Sequence, residues 1–181
     1  VGIGQSALDA VTTGAMNVGI GRLALSGITT GGSNVGVGME ALTRLTVGSS
    51  NFALGGYALA NLTTSGQNVA IGYLAGTRIQ TGDRNILIGY QSGYGAAADQ
   101  TGVSDNVCIG NYAGKHLSTG QDKNVLIGSN AGINCTGDDN TMIGFDAGYG
   151  VTSGVSNIII GHYAGYRQTT LSNLLIVDNQ L

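Results

Sequence analysis

Proline and tryptophan are absent from the 181-residue chain, and only 2 cysteines occur. Charge is scarce too, with 7 Lys+Arg and 10 Asp+Glu making up 9% of residues, where an average domain has ~25%. A chain without proline and without glycine at every third position excludes a collagen-type helix. So few cations cannot supply the electrostatic hold that nucleic acid requires, so no nucleic-acid partner is expected. The longest apolar runs, such as Ile158-Ile159-Ile160, fall far short of the ~20 residues of a membrane helix, so membrane insertion is not expected either. Disorder is disfavoured because 42% of residues are hydrophobic and the net charge is only −3, the reverse of a disordered composition. What is plentiful is glycine, 33 residues, and the composition leaves room for an architecture built from repeats.

Aligning the chain with itself exposes one unit throughout. Its centre reads Asn-apolar-x-apolar-Gly-x-x-Ala, as in Asn17-Val-Gly-Ile-Gly-Arg-Leu-Ala24, Asn68-Val-Ala-Ile-Gly-Tyr-Leu-Ala75 and Asn157-Ile-Ile-Ile-Gly-His-Tyr-Ala164. The leading asparagines are Asn17, Asn34, Asn51, Asn68, Asn85, Asn106, Asn124, Asn140, Asn157 and Asn173, most of them 17 residues apart. A polar turn completes each unit, for example Thr12-Thr-Gly14, Thr29-Thr-Gly31 and Thr63-Thr-Ser-Gly66.

Such a unit is too short for two packed helices, and its glycine and β-branched residues oppose helix. Val/Ile alternation bounded by Asn and Gly reads as a short strand. The expected fold is therefore all-β: a parallel β-solenoid of about ten 17-residue coils, rising ~4.8 Å per coil to a rod of roughly 48 Å. The asparagines are expected to ladder along its axis through their side-chain amides. Residues 1–181 form one repeat domain.

In this reading the two branched residues of each strand, such as Val69 and Ile71, fill the core, and the residue between them faces outward. That residue is Gly2, Gly19, Gly36, Ala53 and Ala70 early, then Leu87, Cys108, Leu126, Met142, Ile159 and Leu175. A row of large apolar groups should not stand in water, so Leu87, Cys108, Leu126, Met142, Ile159 and Leu175 are the expected subunit-packing residues. A second drift accompanies the first. The residue after the alanine position, which Ser92 fills in one unit, is Leu8, Leu25, Leu42 and Leu59 early, but Gly76, Gly93, Gly114, Gly132, Gly148 and Gly165 later. Two sub-types of coil follow, changing near residues 60–76.

Irregularities mark loops. The unit holding Tyr94-Gly-Ala-Ala-Ala-Asp-Gln-Thr-Gly102 has about four extra residues and should bulge at one corner. The array is expected to end near 173–181, where Val177 stands in place of the glycine. The abrupt start at Val1 reads as a segment of a longer polypeptide.

These units resemble the repeats of phage and large-virus tail-fibre or spike proteins, many of which carry an endosialidase-type self-cleaving chaperone domain. They are also similar to the head β-rolls of trimeric autotransporter adhesins. The resemblance implies a left-handed β-roll assembled as a homotrimer, serving host or surface attachment from the virion surface or another extracellular site. It implies no catalytic residues and no cofactor. A bacterial trimeric adhesin head or extracellular filament subunit is the alternative reading. Ice binding ranks third, because adjacent threonines point to opposite faces of a strand.

Other motifs reduce to the repeat. Gly19-Ile-Gly-Arg-Leu-Ala24 matches a dinucleotide fingerprint, but the spacing recurs at Gly2 and Gly36 and no long helix follows. His116 and His162 lie in different units without a second histidine at ligand spacing. Asp105, Asp122, Asp138 and Asp139 read as solvated turn residues, with calcium binding the lesser alternative, since they lack the repeating Gly-Gly-x-Gly-x-Asp pattern. Cys108 and Cys135 sit at different places in their units, which argues against an intrachain disulfide. Asn61-Leu-Thr63 and Asn134-Cys-Thr136 match the glycosylation sequon.

Tyr57, Tyr73, Tyr90, Tyr112, Phe145 and Tyr163 fall one or two places after the strand glycine, and Tyr94, Tyr149 and Tyr166 five places after it. Equal offsets in a solenoid make vertical stripes. Corner packing is the first explanation for them. Stacking on the sugars of a cell-surface glycan, through Tyr94, Tyr149 and Tyr166, is the functional alternative.

Overall fold

The computed structural model of the chain describes residues 1–178. It is a parallel β-solenoid of about ten coils, with no helix among the described residues. Each coil contributes one short strand: β1 (Gly2–Ile3), β2 (Val18–Ile20), β3 (Val35–Val37), β4 (Phe52–Leu54), β5 (Val69–Ile71), β6 (Ile86–Ile88), β7 (Val107–Ile109), β8 (Val125–Ile127), β9 (Thr141–Ile143), β10 (Ile158–Ile160) and β11 (Leu175–Val177). They form a single 11-stranded sheet in chain order. Repeat-equivalent residues pair in register, Val69 on Ile86, Ala70 on Leu87 and Ile71 on Ile88.

Glycine closes each strand from β1 to β10 because the next coil lies directly against it. At Gly72, with φ 133°, a Cβ would stand 2.4 Å from the Gly89 carbonyl oxygen one coil on. Beyond that corner the chain makes successive three-residue turns, such as Ala24 N to Gly21 O and Ile28 N to Leu25 O. Intervening amides reach neighbouring coils, Leu23 N to Gln5 O and Leu25 N to Ala41 O. These bonds pair backbone donors well beyond the three strand residues of each coil.

The asparagines stand inside the coil. From Asn34 on, each donates its backbone N–H and its Nδ2 to the Oδ1 of the asparagine one coil before, at 2.9–3.2 Å for Asn85 and Asn106. The ladder runs from Asn17 through Asn34, Asn51, Asn68, Asn85, Asn106, Asn124 and Asn140 to Asn157, and every member is buried. Among the described residues no buried side-chain nitrogen or oxygen lacks a partner.

Two sequence expectations are corrected here. First, the strands face the other way. Leu87, Cys108, Leu126, Met142 and Ile159 are fully buried in the chain's own core, while the flanking Val and Ile are half-buried or exposed. They are not available to pack a second subunit. Period-2 alternation fixes that centre and flanks oppose each other but not which side is interior. The interior of a 17-residue coil admits one side chain from the strand, not two. Second, the last coil is displaced by one residue. β11 pairs Leu175 with Ile158 and Ile176 with Ile159, so the ladder position belongs to Leu174, whose N–H donates to Asn157 Oδ1 at 3.0 Å. Asn173 takes the left-handed turn position before it, with φ 59°. Leu175, 72% exposed, is an outer residue. The end expected near 173–181 extends into residues 179–181, which lie outside those described.

The facing wall supplies the rest of the core: alanine, the residue after it, and another three places on, as in Ala41, Leu42 and Leu45. The drift in coil type is a size exchange across this core. Where the strand centre is Gly or Ala, the other wall offers Leu25, Leu42 or Leu59; where it is Leu87, Leu126 or Met142, the other wall offers glycine. A Cβ at Gly36 would meet Leu25 Cγ at 3.2 Å, and one at Gly132 would meet Leu126 Cδ2 at 2.7 Å. The change falls at the fifth coil, which has both Ala70 and Gly76. Leu59 from before and Leu87 from after fill that coil, reaching within 2.8 and 2.6 Å of where a Gly76 Cβ would lie.

Candidate functional site

Because the centres point inward, the outer face of the sheet carries two rows of flanking residues. In sequence they include Phe52 and Leu54, Val69 and Ile71, Ile86 and Ile88, Val107 and Ile109, and Ile158 and Ile160. Thr141 is the one polar side chain among the flanking residues of the described strands. Exposure is substantial, for example 41% at Leu54 and 45% at Ile158. Over ten coil steps the strip is roughly 48 Å long, and its rows lie about 7 Å apart. An apolar band of that length, interrupted among the described strands only at Thr141, marks a candidate interaction surface.

The strip has two unlike edges. On its trailing side, just past the strand glycine, stands the aromatic ladder. Tyr57, Tyr73, Tyr90 and Tyr112 follow one another at ring-centroid distances of 6.1, 6.0 and 5.3 Å. After a break at Ser129 and Asn130 it resumes with Phe145 and Tyr163, 5.6 Å apart. On the leading side, before the asparagine, lies a row of left-handed residues that includes Gln67, Arg84, Asp105, Lys123 and Asp139. Arg84 forks onto Asp105 at 2.6 and 2.8 Å, and this bond holds the Asp105 carboxyl below its ordinary range.

The three candidate glycan tyrosines separate. Tyr149 and Tyr166 stack on each other at 4.9 Å and 16°. Tyr94 belongs to another coil and lies beneath the Arg78 guanidinium, 4.3 Å from its ring centre. In each case a ring face is occupied by the protein itself. Beside Tyr166, a groove of about 390 Å³ is lined by Tyr163, Gly165, Arg167, Gln168, Ile176 and Asp178.

The remaining polar residues serve the coil. Asp122 accepts from Ser104 N at 2.7 Å and Asp138 from Asp122 N at 3.1 Å. Asp83 and Ser172 fill the same position in other coils. Thr12, Thr29, Thr46 and Thr63 donate their hydroxyls to the next coil's carbonyl at 3.0–3.2 Å. Both sequon asparagines are engaged: Asn61 Oδ1 accepts from Arg44, and Asn134 Nδ2 donates to Tyr149 O. Among the described residues no three His, Cys, Asp or Glu side chains converge as a metal site. His116 pairs with Asn134 at 3.1 Å, and His162 lies against Phe145 and Tyr163. Gly19 is a buried strand centre followed by turns, not the helix a dinucleotide site needs. Cys108 and Cys135 are free thiols buried in the core.

Sequence reasoning anticipated an apolar row needing cover but placed it on the strand centres. The reciprocal Gly/Leu exchange was the signal that those centres are interior. No described helix is long and apolar enough to cross a membrane. Comparison of the chain with protein-family models, curated proteins and solved structures finds no match.

Proposed function

We propose that this chain is a structural segment of an extracellular fibre or spike, with no catalytic role, and that it assembles as a homotrimer through its outer Val/Ile strip. One observation carries the reading: a rod stapled internally by hydrogen-bonded ladders presents a charge-free apolar strip along one whole side. Each coil is thin and has little core of its own, so covering that strip adds the burial that a lone rod lacks. A second copy has the same ~4.8 Å spacing, so its side-chain rows interlock with these without mismatch. The likeness of the repeats to tail-fibre and trimeric adhesin repeats supports both the number three and the role in host attachment, at a virion or cell surface.

The test is the mass of the full chain in solution by multi-angle light scattering. Three chain masses, in a particle that stays assembled on dilution to nanomolar concentration, is the expected result. A stable monomer would remove the basis of the proposal. Binding of the assembled rod to intact cells, and its loss after glycosidase treatment of those cells, tests attachment separately.

A further inference from the structure

The geometry points to a directional seam between copies, in which the aromatic trailing edge of one strip docks on the charged leading edge of the next, coil for coil, with the rods parallel and unstaggered. This rests on the strip being covered by other copies of the chain. Rotation about any axis parallel to the rod brings the trailing edge of one sheet to the leading edge of its neighbour, for two copies or three. It also keeps each coil at its own height. Copies running in opposite directions would instead join like edge to like.

From the fifth coil to the ninth the two edges are chemically unlike in a way that favours the first arrangement; earlier coils have Met16, Ser33 and Ser50 on the leading edge and the Arg22–Glu40 pair on the trailing one. Arg84 and Tyr90 stand symmetrically about β6, each two residues outside the strand. Tyr90 is 43% exposed, and the Arg84 guanidinium is held by its fork onto Asp105 while its side chain stays 56% exposed. At equal height, the fixed guanidinium of one copy meets the exposed part of Tyr90 of the next, whose hydroxyl can accept a hydrogen bond from it, the ring itself lying between Tyr73 and Tyr112 at 6.0 and 5.3 Å. One coil earlier, Gln67 meets Tyr73. Like-edge packing would instead set the charged row containing Arg84, Asp105 and Lys123 against itself. It would also desolvate those charges without aromatic partners.

Paired cysteines read the seam directly. Arg84→Cys with Tyr90→Cys in one chain, oxidised mildly after assembly, should give covalent species up to the full oligomer on a non-reducing gel. Either substitution alone should give none, and buried Cys108 and Cys135 do not compete. Gln67→Cys with Tyr73→Cys repeats the test with Arg84 intact, should the first pair impair assembly. Self-linking of the Tyr90→Cys chain would show like edges meeting and overturn the proposal. So would a wild-type-sized oligomer that neither pair cross-links, which leaves the strip as interface but not this seam. A monomeric wild-type chain overturns both.

Discussion

Asn106 shows how much one side chain carries in this fold. Its Nδ2 donates to Asn85 Oδ1, Ser104 O and Gln121 O, and its Oδ1 accepts from both nitrogens of Asn124. Asn106→Ala strands several buried polar groups, each costing about 1–3 kcal/mol. A loss of about 3 kcal/mol or more is expected in urea denaturation. Asn106→Asp should cost more, since it keeps the acceptor, loses the donors and places a charge in the core. The two thiols report burial at the same scale. Burial pushes Cys108 far up and Cys135 to about 11. Both should resist a thiol reagent at pH 8 in the folded chain and react once it is unfolded. Because the folded values are raised, this contribution to stability is intact below the unfolded thiol's ~8.5. It is lost as pH climbs above that toward the folded values. Denaturation midpoints that do not fall between pH 8.5 and 10.5 would contradict it.

The coil is the element here, and the exchange of Leu and Gly across its core makes a coupled prediction. Leu42 and Leu59 hold φ 53° and 49°, a left-handed conformation that costs an L-residue roughly 1–2 kcal/mol; filling the space opposite a small strand centre compensates. Leu59→Gly should therefore destabilise by about 2–4 kcal/mol, the cavity outweighing the relieved strain. Ala70→Leu alone should overpack the core by about 1–3 kcal/mol. Together they move the change of coil type one coil earlier, and the double variant should recover most of the loss in a double-mutant cycle. Much of this element was legible beforehand. Asparagine spacing gave the coil length and the ladder, Tyr94–Gly102 marked the long unit, where residues 96–99 are exposed, and residues 60–76 gave the change of type. Inside and outside were not legible from alternation, because a three-residue strand presents the same pattern whichever face is buried. Asn173 misled for a related reason: asparagine suits both the ladder and the left-handed turn before it, and only pairing along β11 separates the two. The unlike edges of the strip depend on which way the strands face, so they were equally hidden.

For the whole molecule, the reversal of the sheet changes which substitutions test stability and which test assembly. A charge at a strand centre lies in a dry core, whereas a charge on the outer rows meets water unless another copy covers it. Leu126→Asp should unfold its coil and those around it, at a cost above about 4 kcal/mol, with loss of the strand signal in circular dichroism. Val125→Asp with Ile127→Asp flanks the same residue on the same strand and leaves the interior untouched. The double variant should keep the wild-type spectrum and, in the oligomer, lose mass, because six carboxylates would then crowd one height of a trimeric interface against only three Lys123 ammonium groups at its edges. An early-coil counterpart, Val35→Asp with Val37→Asp, should act in the same way, since the strip is continuous from one sub-type of coil to the other. If the outer variants keep the assembled mass, the strip is not the interface. If they unfold the chain as Leu126→Asp does, the two rows contribute to the coil itself rather than to a partner.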